Sequence, residues 1–143
     1  MARGGTYILA CGLCFLLAGC FSDPFVDACE QAVKETLRAP STYHRINVTQ
    51  KQVPIPLDAY LAANESSASV REFMSRLQKK ATRWIAYLEY DASNAYGVAI
   101  REAKECSYET LAESPSDATK FTVKIDGKDL IEKQMDAVRR VVK

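Results

Sequence analysis

The sequence predicts an α+β domain: an N-terminal helix packed on an antiparallel sheet of three or four strands, with an additional helix in residues 58–81 and a C-terminal helix. Three observations carry this. Apolar residues recur at helical spacing directly after Asp23-Pro24. Two stretches rich in aromatic and β-branched residues flank a turn-forming segment at residues 91–97. Ser69 with Glu72, and Asp129 with Glu132, have the spacing of capping boxes ahead of later apolar stripes.

Asp23 is a natural N-cap and Pro24 suits the first helical position, where no hydrogen bond from its nitrogen is needed. From Pro24 to Arg38, Val26, Cys29, Val33 and Leu37 form one stripe, and Glu30, Lys34, Glu35 and Arg38 fall mostly on other faces. Cys29 therefore points to the core. Pro40 ends the helix, since it disfavours the α region at Ala39. Tyr43 to Val53 alternates as a first strand, with His44, Ile46 and Val48 on one face and Tyr43, Arg45, Asn47 and Thr49 on the other. Pro54-Ile55-Pro56 is expected to break it, and Asp58 to Ala63 to form a short helix.

Ser69 opens a second amphipathic helix to about Ala81, with Val70, Phe73, Met74, Leu77 and Ala81 on its stripe. Arg71, Arg76, Lys79 and Lys80, followed by Arg83, make this the one locally basic stretch. A solvated face is the ordinary meaning of such a run; an anion-binding surface for phospholipid heads or acidic polymer is the sharper one.

Thr82 to Ala92 reads as a strand with Trp84, Ala86, Leu88 and Tyr90 on one side and Ile85 and Tyr87 on the other. Apolar residues on both faces predict a central position. In the turn that follows, Asp91 is expected to cap through its side chain, Asn94 to take a left-handed backbone and Gly97 a positive φ. The chain then returns through Val98 to Tyr108, with Val98, Ile100, Cys106 and Tyr108 in phase and Cys106 inward. Glu102 and Lys104 share that face, so either the strand outruns the core or a bulge resets the phase. Phe121, Val123 and Ile125 alternate in a further strand, Asp126-Gly127 is a turn, and Leu130 to Val142 is a closing helix. Its stripe is Ile131, Met135, Val138 and Val142, and Arg139, Arg140 and Lys143 suit the dipole at its end.

Few chemistries fit these residues. Lys and Arg number 19 against 18 Asp and Glu, so no global charge draws nucleic acid. His44 is the single histidine, which leaves a hydrolytic triad one place to be and a zinc site short of ligands. Glycine-rich phosphate loops and nucleophile elbows are absent from the sequence. Asp91 and Glu89 are the nearest to paired carboxylates, though Asp91 more simply caps its turn and Glu89 more simply lies on a solvent-facing edge. No catalytic or metal-binding residue is nominated, and a non-enzymatic role is expected.

The N-terminus is more specific. Arg3 precedes an apolar run from Tyr7 to Leu17, too short to span a bilayer. It ends in Leu17-Ala18-Gly19-Cys20. This resembles the lipobox of bacterial lipoproteins. The resemblance implies a signal peptide over 1–19 cleaved between Gly19 and Cys20, a lipidated tether over 20–23 and a single domain over 24–143. Cys20 would carry a diacylglycerol and an N-acyl chain, with no other cofactor. Neither an ordinary secretory signal nor a buried helix explains why the run stops at small, small, cysteine. Phe21 in place of aspartate implies, in a Gram-negative host, the inner leaflet of the outer membrane, facing the periplasm.

The same resemblance sorts the five cysteines, because Cys11 and Cys14 would leave with the signal and Cys20 would be acylated. Cys29 and Cys106 remain, and an oxidising periplasm would join them. Two free thiols are the rival reading. A bridge closing so long a loop would contribute about 4 kcal/mol.

Leu37-Arg-Ala-Pro-Ser-Thr42, Asp91-Ala-Ser-Asn-Ala-Tyr-Gly97, and Cys106 before Tyr108 also resemble a loosely defined group of small bacterial and phage proteins. That likeness implies the strand pair and its turn, and no activity. Two functions are therefore carried forward. One is a lipid-anchored, non-enzymatic module that binds an envelope protein or polymer. The alternative is a small envelope hydrolase or ligand-binding protein using scattered carboxylates and tyrosines.

Overall fold

The computed structural model describes residues 23–64, 66–77 and 79–141. The lipobox, with Gly19 and Cys20, lies outside the described residues, as do Val142 and Lys143. The elements are α1 (Pro24–Thr36), β1 (His44–Ile55), α2 (Leu57–Ala63), α3 (Ala68–Arg76), β2 (Ala81–Ser93), β3 (Ala99–Thr110), β4 (Lys124–Ile125) and α4 (Leu130–Val141). The strands form one antiparallel sheet in the order β1-β2-β3-β4, and the architecture is the α+β class expected.

Asp23 caps α1: its carboxylate accepts from the backbone N–H groups of Phe25 (2.9 Å) and Val26 (3.4 Å). The helix buries Phe25, Val26, Ala28, Cys29, Ala32 and Val33 against Ala86, Leu88, Tyr90 and Ala92 of β2. Each large apolar side chain so buried contributes about 1.5–3 kcal/mol. Glu30 is a correction. It is buried, since it lies four residues after Val26 and three before Val33, on the stripe itself. The Sγ atoms of Cys29 and Cys106 are 2.02 Å apart, tying α1 to β3.

β2 is central, as its two apolar faces implied. On β1 the expected faces are wrong. A bulge between Arg45 and Asn47 leaves Ile46 without a partner and moves the phase by one residue. Tyr43 and Arg45 before the bulge, and Val48 and Gln50 after it, consequently share the side that faces α1. His44 and Ile46 are exposed. Pro54 does not end the strand either, which continues to Ile55 with Pro54 opposite Thr82. Because among the described residues β1 pairs only with β2, it is an edge strand, where a missing N–H is tolerated.

The β2–β3 ladder runs from Thr82–Thr110 to Ser93–Ala99 without a register shift. The strands therefore outrun the core, and no bulge resets Glu102 and Lys104. Gly97 has φ 77°, whereas Asn94 keeps a negative φ. Asn94 instead shapes the turn through its side chain, whose oxygen accepts from the N–H groups of Tyr96 (2.9 Å) and Val98 (3.1 Å). Asp91 does not cap this turn: it sits on β2 directly opposite Arg101.

Three further expectations change. The cap of α3 is Ser67, whose hydroxyl accepts from Val70 N–H at 3.4 Å, so Ser69 lies inside the helix. α3 ends at Arg76, and Ala81, fully buried, begins β2. β4 keeps only Lys124 and Ile125, because the chain turns at residues 119–123 and leaves Phe121 exposed. Finally, Asp126 (φ 51°) and Gly127 (φ 79°) form the tight turn, and Asp129 and Glu132 exchange side-chain and backbone hydrogen bonds of 2.8 and 3.0 Å. Yet the stripe of α4 does not face the core. Ile131, Met135 and Val138 are 62%, 52% and 63% exposed, and among the described side chains of this helix Leu130 alone is buried.

Candidate functional site

The densest set of interacting polar groups lies along the seam between α1 and the sheet. Glu30, from the inner face of α1, accepts from the Tyr43 hydroxyl at 3.0 Å and from Arg45 in a close ion pair. Lys34, one turn on, places its ammonium 4.7 Å from the centre of the Tyr43 ring. Burial alone would raise the Glu30 carboxyl. The hydrogen bonds from Arg45 and Tyr43, with the charges of Arg45 and Lys34, outweigh it and hold the group below its ordinary range. Burial and the Glu30 charge push the Tyr43 hydroxyl well above the usual phenol range.

The ring of Tyr43 lies 5.0 Å from that of Tyr90. Tyr90 donates to Glu102 at 3.1 Å, Lys104 stands 3.9 Å from Glu102 and 3.3 Å from Asp126, and Lys133 is 3.6 Å from Asp126. Burial and Glu102 raise the Tyr90 hydroxyl in the same way as Tyr43. The result is two runs of paired acids and bases, one on α1 and β1 and one reaching α4, joined by the contact of the Tyr43 and Tyr90 rings. Their chemistry is that of a satisfied structural network, every carboxylate in it being matched by a donor.

Sequence reasoning misses this network because helical spacing alone groups Glu30 with the outer charges, and unbroken alternation separates Tyr43 from Val48. The signal available was a glutamate at helical spacing inside an apolar stripe. The fully buried Phe25, edge-on to Trp84 at 6.5 Å, closes the other end of the seam.

The residues singled out from sequence fall elsewhere. Asp91 accepts a two-pronged ion pair from Arg101 at 2.9 and 3.1 Å, which holds its carboxyl below the usual range. Glu89 lies on the same strand, 3.9 Å from the same guanidinium. His44 stands opposite Asp91 on β1. These four do come together, side by side across three strands, on open surface rather than in a cleft. Asn94 and Gly97 form only the turn above. In the basic stretch, Arg76 pairs with Glu72 and Arg83 with Glu109, Arg71 donates to the Ser66 carbonyl at 2.9 Å, and Lys79 and Lys80 are exposed.

Two concavities stand out. One, of about 380 Å³, lies between the last turn of α1 and the inner flank of α4, with Glu35, Asp126, Lys128, Lys133, Asp136 and Arg140 on its wall. Lys128 pairs with Asp136 at 2.5 Å, and Asp126 is shared by Lys104 and Lys133, so its carboxylates are largely engaged. The other, of about 320 Å³, is lined by Tyr60, Asn64, Tyr108, Glu109 and Lys124. Burial and the neighbouring Asp117 push the Tyr108 hydroxyl up to about 12, so it remains a neutral donor at physiological pH.

Among the described residues no group of three or more His, Cys, Asp or Glu is arranged to hold a metal ion, and no helix is long and apolar enough to cross a membrane. Comparison with protein-family models, curated proteins and solved structures finds no match to this chain in any of the three.

Proposed function

We propose that this chain is a lipid-anchored protein of the bacterial cell envelope, acting as a non-enzymatic binding or accessory module for an envelope protein or polymer. The observation that carries the reading is the run from Arg3 through Tyr7–Leu17 to Leu17-Ala18-Gly19-Cys20. Acyl chains on Cys20 would hold the protein on its leaflet without a spanning helix, since two or more chains suffice for stable attachment. The placement of the Asp23 cap supports a domain held close to the lipid. Three residues reach at most about 11 Å. On this reading the protein works at the outer-membrane surface that faces the periplasm, where the Cys29–Cys106 pair would be oxidised.

The exposed stripe of Ile131, Met135 and Val138 supports a binding role, as contiguous apolar surface on a helix is characteristic of contact sites. The two concavities favour the hydrolase or ligand-binding alternative, but the lysines paired with Asp126 and Asp136 in one, and Arg83 paired with Glu109 in the other, weaken it.

Metabolic labelling with a fatty-acid analogue tests the anchor: the wild type should label and Cys20→Ala should not. Equal labelling would defeat it. A photo-crosslinker at Met135, used in intact envelopes, should capture a discrete partner that Val138→Glu loses.

A further inference from the structure

We infer that α3 lies on the phospholipid leaflet in which Cys20 is anchored, so that lipid and helix together fix the domain's orientation. The inference rests on the lipid-anchor reading and adds a second, sequence-distant membrane contact. Its basis is a juxtaposition that the topology creates.

The arm α2–α3 joins the end of β1 to the start of β2, and those ends are paired, Ile55 opposite Ala81. The N-terminus of α1 lies over the same half of the sheet. The Asp23 carboxylate accepts from Gln50 at 2.9 Å, and Phe25 meets Trp84. The other end of α1 lies over the opposite half, where Lys34 covers Tyr43 just ahead of His44. Followed backwards from Thr36 to Asp23, the axis of α1 thus runs towards the end of the sheet from which the arm emerges. The Asp23 cap of α1, three residues after Cys20 in sequence, and the arm that carries α3 share one end of the sheet.

α3 has the chemistry such a surface needs. Val70, Phe73 and Leu77 are 44%, 61% and 48% exposed, although they form the apolar stripe of a helix. Arg71 and Arg76 lie on α3, where Glu72 pairs with Arg76, and the exposed Lys79 and Lys80 follow before β2. Arg83 on β2 is paired with Glu109, so among the described residues Arg71, Lys79 and Lys80 are the cations here not matched by a carboxylate. Apolar residues that enter the headgroup boundary, flanked by bases that meet phosphate, are the pattern of an interfacial helix. α4 differs on both counts. It packs near the far end of α1, beside Glu35 and Thr36, and mixes Glu132 and Asp136 with its bases.

The test uses the full chain, expressed in a lipoprotein-processing host and reconstituted in vesicles of phosphatidylethanolamine and phosphatidylglycerol with brominated acyl chains. Phe73→Trp and Met135→Trp are compared, each corrected for the emission of Trp84 in the parent. The Phe73→Trp signal should shift to the blue and lose most of its intensity, while Met135→Trp stays unquenched. Arg71→Glu combined with Lys79→Glu and Lys80→Glu, or added salt, should restore the Phe73→Trp emission. A chain that incorporates the fatty-acid label and floats with the vesicles, yet leaves Phe73→Trp unquenched, overturns the inference and spares the anchor. A chain that is unlabelled but still quenched at Phe73→Trp overturns the anchor and supports the helix contact. Failure to float overturns both.

Discussion

α1 and α4 are read from the sequence by the same rule and end in opposite situations. Both begin at an aspartate cap and both carry an apolar stripe at helical spacing. The stripe of α1 is sealed against β2, whereas that of α4 is open to solvent. The difference lies in how each helix is held. α1 is pinned by Phe25, Cys29 and Val33 on its apolar side. α4 is pinned on its polar flank, where Lys128 meets Asp136 and Lys133 meets Asp126 across the tight turn. Periodicity establishes that a stripe exists; the chain entering the helix decides which way it faces. On the binding role proposed above, this uncovered stripe on a fixed helix is the surface a partner would meet.

That contrast can be broken at graded cost. Replacing Cys29 and Cys106 together with alanine should lower stability by about 4 kcal/mol, because their link spans 77 residues of sequence. Urea unfolding with and without reductant would measure it, and coincident curves for the wild type would show the bridge absent. Leu88→Ala, in the floor beneath α1, should follow at about 3 kcal/mol, read from the same transition.

Glu30→Ala comes next, at about 2 kcal/mol, since it strands the Tyr43 hydroxyl and Arg45. Its pH signature has a definite sign. With a folded pKa below the ordinary 4.5, the Glu30 ion contributes fully above that value and its contribution is lost as pH falls through the lowered one. Wild-type stability should thus fall on acidification faster than that of Glu30→Gln; parallel pH profiles would remove the role assigned to the seam.

On the α4 side the effects should be smaller. Asp129→Ala removes half of a reciprocal cap and should cost about 1 kcal/mol, with lost helicity visible by circular dichroism. Val138→Ala should change the unfolding midpoint by less than about 0.5 kcal/mol equivalent. A large loss there would mean that the stripe is covered after all and would erase the comparison.

What was legible in the sequence follows the range of each interaction. Local rules found Asp23-Pro24, the Asp126-Gly127 turn and the Asp129–Glu132 box, because their partners lie within four residues. The β2–β3 pair was equally plain, with Trp84, Ala86, Leu88 and Tyr90 in strict alternation. Non-local features were hidden. The bulge at Ile46 is set by pairing with β2, and alternation carried across it reversed the faces of Tyr43 and His44. Pro54 reads as a breaker until β1 is known to be an edge. Asp91 looks like a turn cap until register puts Arg101 opposite it. Within the candidate network, Glu30 was visible as an acid and invisible as a buried one.

β1 also bears on how copies of this chain would meet edge to edge. Its outer rim is the long open margin of the sheet among the described residues, twelve positions from His44 to Ile55. A flat margin of that length would recruit the same strand from a neighbour and zip copies together. The kink at Ile46, the absent N–H of Pro54, and the charges of Arg45 and Lys51 each interrupt the row of hydrogen-bonding groups that such zipping requires. The irregularities that obscure this strand in the sequence thus make its open margin a poor template for the addition of a further strand.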